Sequence, residues 1–173
     1  MRVLLQRVLL RAAVAALAVA PILATAQPAP PAKTTKEAAR DLSLGTWVLN
    51  RSKSNYRPGP VPLSVVRTYE PHPDGVKVTI ETVTERGRTV TEFVAEYDSM
   101  EYPVKGSPEI DALSLMSIDL YTAEITLKHG GRDIGFARRV ISQDGKTMTM
   151  TVALGDPQNA TVRNVAVYDK REP

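Results

Sequence analysis

The chain has 173 residues and no cysteine, and its 22 Lys and Arg against 19 Asp and Glu give a formal net charge of +3. Without cysteine there are no disulfides, no thiol catalysis and no thiolate metal sites. Three of the arginines lie within residues 1–26, so residues 27–173 carry 19 basic and 19 acidic side chains. A nucleic-acid or anionic-membrane partner needs a basic excess, and we therefore predict neither.

The first 26 residues have the pattern of a secretory signal peptide. Basic residues come first, then an apolar stretch, then a small-residue triplet: Arg2, Arg7 and Arg11, residues 12–23, and Ala24-Thr25-Ala26. This order is typical of a cleaved leader, and the apolar stretch is shorter than the roughly 20 residues of a spanning helix. We predict cleavage after Ala26, a periplasmic or extracellular location, and no membrane insertion afterwards.

Residues 27–43 are predicted to be a spacer followed by a short helix. Residues 27–32, QPAPPA, are rich in Pro and Ala and favour an extended chain. Thr34 or Thr35 can cap a helix that includes Glu37 and Leu42. We expect this helix to pack against an open end of the domain that follows.

Residues 44–171 form a series of strand-length runs separated by turn signals. The runs alternate polar and apolar residues and are rich in Val, Ile, Thr, Tyr and Phe, as in antiparallel strands. The predicted strands are 45–50, 63–70, 76–85, 88–97, 101–104, 111–118, 122–129, 132–142, 146–154 and 162–169. Because closure removes sheet edges, we predict an all-β, antiparallel up-and-down barrel of about 8 to 10 strands.

Gly45 and Trp47, at the start of the first predicted strand, resemble the G-x-W signature of the lipocalin (calycin) group. In that family the Trp seals one end of the barrel, and an Arg beyond the last strand packs across its ring. The resemblance makes Trp47 a structural plug and Arg171 the residue over its ring, with Lys170 as second choice. It also implies a small bacterial lipocalin-like protein, although this chain is shorter, lacks the family's usual disulfide and has no long helix after the barrel.

The strand count is also similar to that of the intracellular fatty-acid-binding proteins. Their last strand carries an Arg two residues before a Tyr, and the two grip the ligand carboxylate. Here Tyr168 is present, but Ala166 occupies the matching Arg position, and a Pro-rich link at residues 57–62 leaves little room for their helical lid. The resemblance therefore implies the barrel fold and the role of Trp47 as a plug, but it implies no specific ligand.

Arg138-Arg139 is the strongest candidate for a polar group inside the barrel. Consecutive strand residues point to opposite faces, so a regular strand turns one of the two inward. Three apolar residues lie an even number of positions from Arg138 and would share its face of a regular strand: Ile134, Phe136 and Val140. An inward Arg138 would need a buried acid, a ligand carboxylate or cavity water. The alternative is that Gly135 marks a bulge that resets the pattern and places both arginines in solvent.

No catalytic or metal motif is present. The only histidines, His72 and His129, fall in different predicted turns, and the chain has neither G-x-S-x-G nor a Gly-rich phosphate loop. We predict no enzyme activity, no cofactor and no metal, and an enzyme built on the same barrel is a third, weaker alternative.

These observations predict a monomeric, exported barrel that binds a small apolar or amphipathic molecule in its interior. Arg138, Phe136 and Tyr168 are the predicted ligand-binding residues. The alternative is a filled barrel that acts as a protein-interaction or inhibitor module through its loops at residues 57–62 and 106–108.

Overall fold

The computed structural model describes residues 41–155 and 160–172. Its strands are β1 (Gly45–Leu49), β2 (Asn55–Arg57), β3 (Ser64–His72), β4 (Gly75–Thr84), β5 (Gly87–Ala95), β6 (Asp98–Pro103), β7 (Ala112–Ser117), β8 (Thr122–His129), β9 (Arg132–Ile141), β10 (Thr147–Leu154) and β11 (Val162–Lys170). One turn of 3-10 helix covers Arg51–Lys53. The predicted leader lies outside the described residues, and so do the spacer and nearly all of the short helix.

Ten strands form one antiparallel meander in the order β5-β4-β3-β1-β11-β10-β9-β8-β7-β6. The two ends of this path meet at a single bridge, where the amides of Glu92 and Lys105 each donate to the other's carbonyl at 2.9 Å. We call this junction the seam. The prediction of an all-β antiparallel barrel is confirmed, in a nearly closed form.

The short strand β2 was not indicated by the sequence pattern. It ends at Arg57, directly before Pro58, and pairs with β11 beyond the end of β1, with Tyr56 opposite Asn164. Proline confines a strand to an edge or a short pairing. β2 is therefore only three residues long and ends where the Pro-rich link begins.

The apolar core lies inside the barrel and follows the predicted alternation. Val76 and Val78 of β4 and Met148 and Met150 of β10 are buried. One end of the barrel holds Asp41, the start of β1 and the turns β3–β4, β5–β6, β7–β8 and β9–β10. We call it the Trp47 end, because the fully buried Trp47 lies there.

A register shift between β8 and β9 decides which arginine faces inward. Leu127 pairs with Gly135 and Lys128 with Asp133, so Ile134 has no partner. This extra residue reverses the alternation that follows it. The inward residues are then Ala137, Arg139 and Ile141, and the exposed ones are Phe136, Arg138 and Val140.

The prediction of an inward Arg138 is therefore wrong, and so is its alternative of two exposed arginines. Arg138 is exposed, whereas Arg139 keeps only 8% of its surface accessible. The bulge expected near Gly135 exists, but it exchanges the faces of the two arginines and keeps one inside.

The seam depends on a glycine. Gly106, in the loop after β6, has φ +76°, and a Cβ placed there would lie 1.9 Å from the carbonyl oxygen of Val90 in β5. Only a residue without a side chain allows this backbone approach. It brings Lys105 into register with Glu92.

We expect Gly106→Ala to open the seam. Amide exchange at Glu92 and Lys105 should accelerate by at least about tenfold, since both hydrogen bonds depend on the close approach. Gly145→Ala is the matched control, because Gly145 has a similar φ of +68° and no atom within 4 Å of an added Cβ. Equal acceleration in both variants would attribute the effect to backbone strain and not to the seam.

Candidate functional site

The barrel encloses a cavity of about 140 Å³. Most of its lining is apolar and comes from both halves of the meander: Val78, Ile80, Phe93, Leu115, Ile125, Leu127, Met150 and Val152. Thr91, Tyr69, Arg67 and Arg139 supply the polar groups. A cavity of about this volume accommodates a molecule the size of benzene.

The lining differs between the two ends of the cavity. Tyr69 and Val78, toward the Trp47 end, are buried, at 5% and 0% exposure. The partly exposed apolar lining residues lie at the opposite end of the barrel and along the seam: Ile80, Phe93, Val104, Ile110 and Val152. Two polar lining residues, Thr91 and Arg67, are also partly exposed. The accessible part of the cavity is therefore on this side.

Six side chains form a continuous row inside the barrel, which we call the tyrosine–arginine ladder: Tyr56, Tyr168, Arg67, Tyr69, Arg139 and Tyr97. The guanidinium carbon of Arg67 lies 5.3 Å from the ring centre of Tyr168. That of Arg139 lies 5.5 Å from the ring centre of Tyr69 and 5.4 Å from that of Tyr97. Aromatic faces attract cations at these distances, so the rings stabilise both charges.

The ladder ends in a hydrogen-bonded group at the Trp47 end. Arg139 Nη1 donates to Tyr97 Oη at 2.9 Å, and Tyr97 Oη donates to Asp41 Oδ2 at 3.1 Å. Asp41 Oδ1 accepts from the amide and the hydroxyl of Ser43, at 2.9 and 2.6 Å. The Ser43 carbonyl in turn accepts from Trp47 Nε1 at 2.7 Å. The segment before β1 is thus tied to the interior of β9.

Arg67 is charged although it lies inside the barrel. Burial disfavours its charge, but interactions with Tyr168 and Tyr69 outweigh burial and hold its pKa above the usual arginine value. Arginine is in any case protonated at every pH a folded protein meets.

The positive charge of Arg139 is stabilised in the same way. Burial again disfavours the charge, while Tyr97, Tyr69 and Asp41 raise the pKa of Arg139 above its ordinary value.

Neither guanidinium is fully satisfied. Arg67 Nε and Arg139 Nε are both buried without a hydrogen-bond partner. Among residues 41–155 and 160–172, no carboxylate forms an ion pair within 4 Å of either arginine. Unpaired buried donors cost about 1–3 kcal/mol each, and the two arginines that carry them are both cavity-lining residues.

The residue that packs over the Trp47 ring differs from the one predicted. Lys170 Nζ lies 5.0 Å from the Trp47 ring centre, whereas Arg171 is exposed and only its backbone amide bonds, to Thr46 O at 2.8 Å. The prediction for Arg171 is wrong, and the second choice, Lys170, occupies the place. The reason is register, because Lys170 is the cross-strand partner of Trp47. Gly45 leaves room for the lysine, since a Cβ there would lie 3.1 Å from Lys170 Cε.

The predicted ligand-binding residues separate into one inside and two outside. Tyr168 is 1% exposed and lies beneath Arg67. Phe136 is 42% exposed and Arg138 is exposed, so neither can line the interior.

None of the four polar lining residues was among the predicted ligand-binding residues: Arg67, Tyr69, Thr91 and Arg139. A signal existed for Arg67. It alternates along the strand with Val65 and Tyr69, which places these three side chains on one face, whereas Thr68 and Glu70 lie on the other face.

Within the described ranges, no group of three or more His, Asp or Glu side chains could hold a metal ion. His72 lies near Asp74 and His129 near Asp111, each pair at the surface. No helix among these residues is long and apolar enough to cross a membrane.

No protein-family profile and no curated protein sequence matches this chain. The lipocalin resemblance therefore continues to rest on Gly45, Trp47 and the strand pattern.

Tyr97→Phe should destabilise the fold. It removes the hydroxyl between Arg139 and Asp41, leaving a buried donor and a carboxylate oxygen without their partner, at a cost of about 1–3 kcal/mol. Tyr102→Phe is the control, because the Tyr102 hydroxyl bonds Asp98 at an exposed site, where the loss should stay below about 0.5 kcal/mol. Urea unfolding measures the free energy of unfolding of both variants. Equal losses of stability would show that the Tyr97 hydroxyl has no special role.

Stability should fall at alkaline pH. Burial raises the pKa of Tyr56 and of Tyr97 above the ordinary tyrosine value. Folding therefore favours the protonated phenols, and this contribution is complete below about pH 10. As the pH rises further, the unfolded chain loses these protons first, so stability declines.

Near-ultraviolet absorbance titration with parallel urea unfolding tests this expectation. Tyr56, Tyr97 and Tyr102, whose pKa values are raised in the folded protein, should ionise above the ordinary tyrosine pKa, and Tyr56→Phe should flatten the decline in stability. A single transition near pH 10 with unchanged stability would contradict it.

Proposed function

We propose that this protein is an exported, monomeric, lipocalin-like barrel that binds one small amphipathic molecule in its interior. The observation that carries the proposal is the cavity of about 140 Å³, whose apolar lining surrounds two charged guanidiniums with unpaired Nε groups. Export is supported by the leader pattern of residues 1–26, and the lipocalin likeness by Gly45 and Trp47.

The lining favours an amphipathic ligand over a purely apolar one. An alkane would fill the volume but would leave Arg67 Nε and Arg139 Nε without acceptors in a drier environment. Unpaired buried polar groups are costly. A ligand with one polar end satisfies these donors and places its apolar part against Ile80, Phe93 and Val152.

The volume also limits affinity. About six to eight non-hydrogen atoms fit such a cavity, and the best ligands gain at most about 1.5 kcal/mol per atom. Most ligands of this size fall well short of that limit, so we expect dissociation constants in the micromolar to millimolar range. Titration followed by amide NMR suits this range.

The alternative, a loop-mediated interaction module, is less well supported. It was predicted for a filled barrel, whereas this interior holds a cavity. In addition, Gly106, the first residue of one proposed contact loop, packs against the backbone of Val90 at the seam.

A panel of hexanol, hexanoate, hexylamine and benzyl alcohol tests the function. At least one member should shift the amides of cavity-lining residues. Ala137→Leu, which fills the cavity from β9, should abolish those shifts while the protein stays folded. Ala153→Leu, the same change on the outward face of the neighbouring strand, is the control and should leave binding intact. If no panel member shifts cavity residues in the unaltered protein, the proposal fails and the loops become the next surfaces to test.

A further inference from the structure

We propose that the ligand is a monoanion, a short aliphatic or aromatic monocarboxylate, with its carboxylate at Arg67 and Arg139 and its apolar body against the lining toward the opposite end. This inference rests on the proposed function and names the chemical class that the site selects.

The two arginines reach the same part of the cavity because both contact Tyr69. The Arg139 guanidinium lies over the Tyr69 ring, at 5.5 Å, and Arg67 interacts with the Tyr69 hydroxyl. Both arginines also line the one cavity. A small acceptor beside Tyr69 can therefore meet both charges.

The unpaired atoms have the right chemistry for an anion. Both Nε groups are buried and have no partner, and Arg139 is more than nine-tenths buried. A buried cation is stable only when it is paired and hydrogen-bonded. Aromatic rings supply part of this stabilisation but accept no hydrogen bond in the plane of the guanidinium. A planar carboxylate matches the planar donor edge of arginine.

The charge balance favours one negative charge over two. Asp41 reaches Arg139 through the Tyr97 hydroxyl and partly offsets its charge. The interactions that raise the pKa of Arg67 come from Tyr168 and Tyr69. Counted over residues 41–155 and 160–172, the two guanidiniums and the Asp41 carboxylate leave a single uncompensated positive charge. A carboxylate neutralises this charge, whereas the dianion of a phosphate monoester would add a negative charge to an apolar cavity.

The rest of the ligand is defined by the wall of the cavity. Ile80, Leu127 and Val152 line the cavity away from the Trp47 end, with no charged residue among the lining groups other than the two arginines. The volume corresponds to a body of about four to seven carbons. Longer acids would have to extend out past the seam.

The first test compares ligands of equal length on the unaltered protein at neutral pH. Hexanoate should bind at least about tenfold more tightly than hexanol, a difference of about 1.4 kcal/mol. Hexanoate should also bind more tightly than inorganic phosphate, because phosphate has no apolar body. Lowering the pH until hexanoate is protonated should remove the advantage over hexanol.

The second test assigns the preference to the two arginines. Arg67→Met and Arg139→Met keep an apolar side chain of similar length, and each should reduce hexanoate affinity at least about tenfold while leaving hexanol binding within about threefold. Arg138→Met is the matched control and should change neither, because Arg138 is exposed on the outer face. If either variant is unfolded, ligand-to-protein NOEs from the hexanoate α-methylene to Tyr69 in the unaltered protein provide the same assignment.

The outcomes separate the inference from the function it rests on. If hexanol and hexanoate bind equally, the interior is a binding site but the anion inference is wrong. If hexanoate is preferred and neither arginine variant reduces this preference, the carboxylate site lies elsewhere and the inference is again overturned. If phosphate binds as tightly as hexanoate, the apolar body has no role and the inference fails. If nothing binds, the proposed function and the inference fall together.

Discussion

The structure depends on keeping two positive charges inside an apolar barrel. Arg67 and Arg139 lie among tyrosine rings, which attract the cations through their faces and accept hydrogen bonds through their hydroxyls. This arrangement tolerates the charges but leaves one N–H of each arginine unpaired. The cavity is next to these groups.

The two ends of the barrel serve different purposes. The Trp47 end is sealed by Trp47 under Lys170 and by the hydrogen bonds that link Ser43, Asp41 and Tyr97. The opposite end and the seam carry the partly exposed apolar lining. Arg67 is itself a partly exposed lining residue and pairs across the sheet with Ile80. A ligand that entered there would therefore meet apolar wall and one positive charge together.

Much of the fold could be predicted from the sequence, because alternation and hairpin turns are local signals. The ten strands of the meander fall close to their predicted positions. The site was harder to predict, because side-chain direction depends on counting residues without error along a strand. One unpaired residue, Ile134, exchanged the faces of Arg138 and Arg139. The lysine over Trp47 depends on register between the first and last strands, which no local pattern contains. Arg67 was predictable, since Val65 and Tyr69 flank it at the spacing of an inward face.

The pairing of β1 with β11 also has a consequence for how the chain is made. β1 lies near the start of the domain and β11 near its end, so the first strand gains its second neighbour only when synthesis of the domain is almost finished. A sheet in which two neighbouring strands come from opposite ends of the domain folds slowly, because the chain between them must be brought together before their pairing contributes any stability. The complete sheet therefore cannot form until β11 has been synthesised. A threading translocase requires an unfolded chain, so this topology suits the export that residues 1–26 predict.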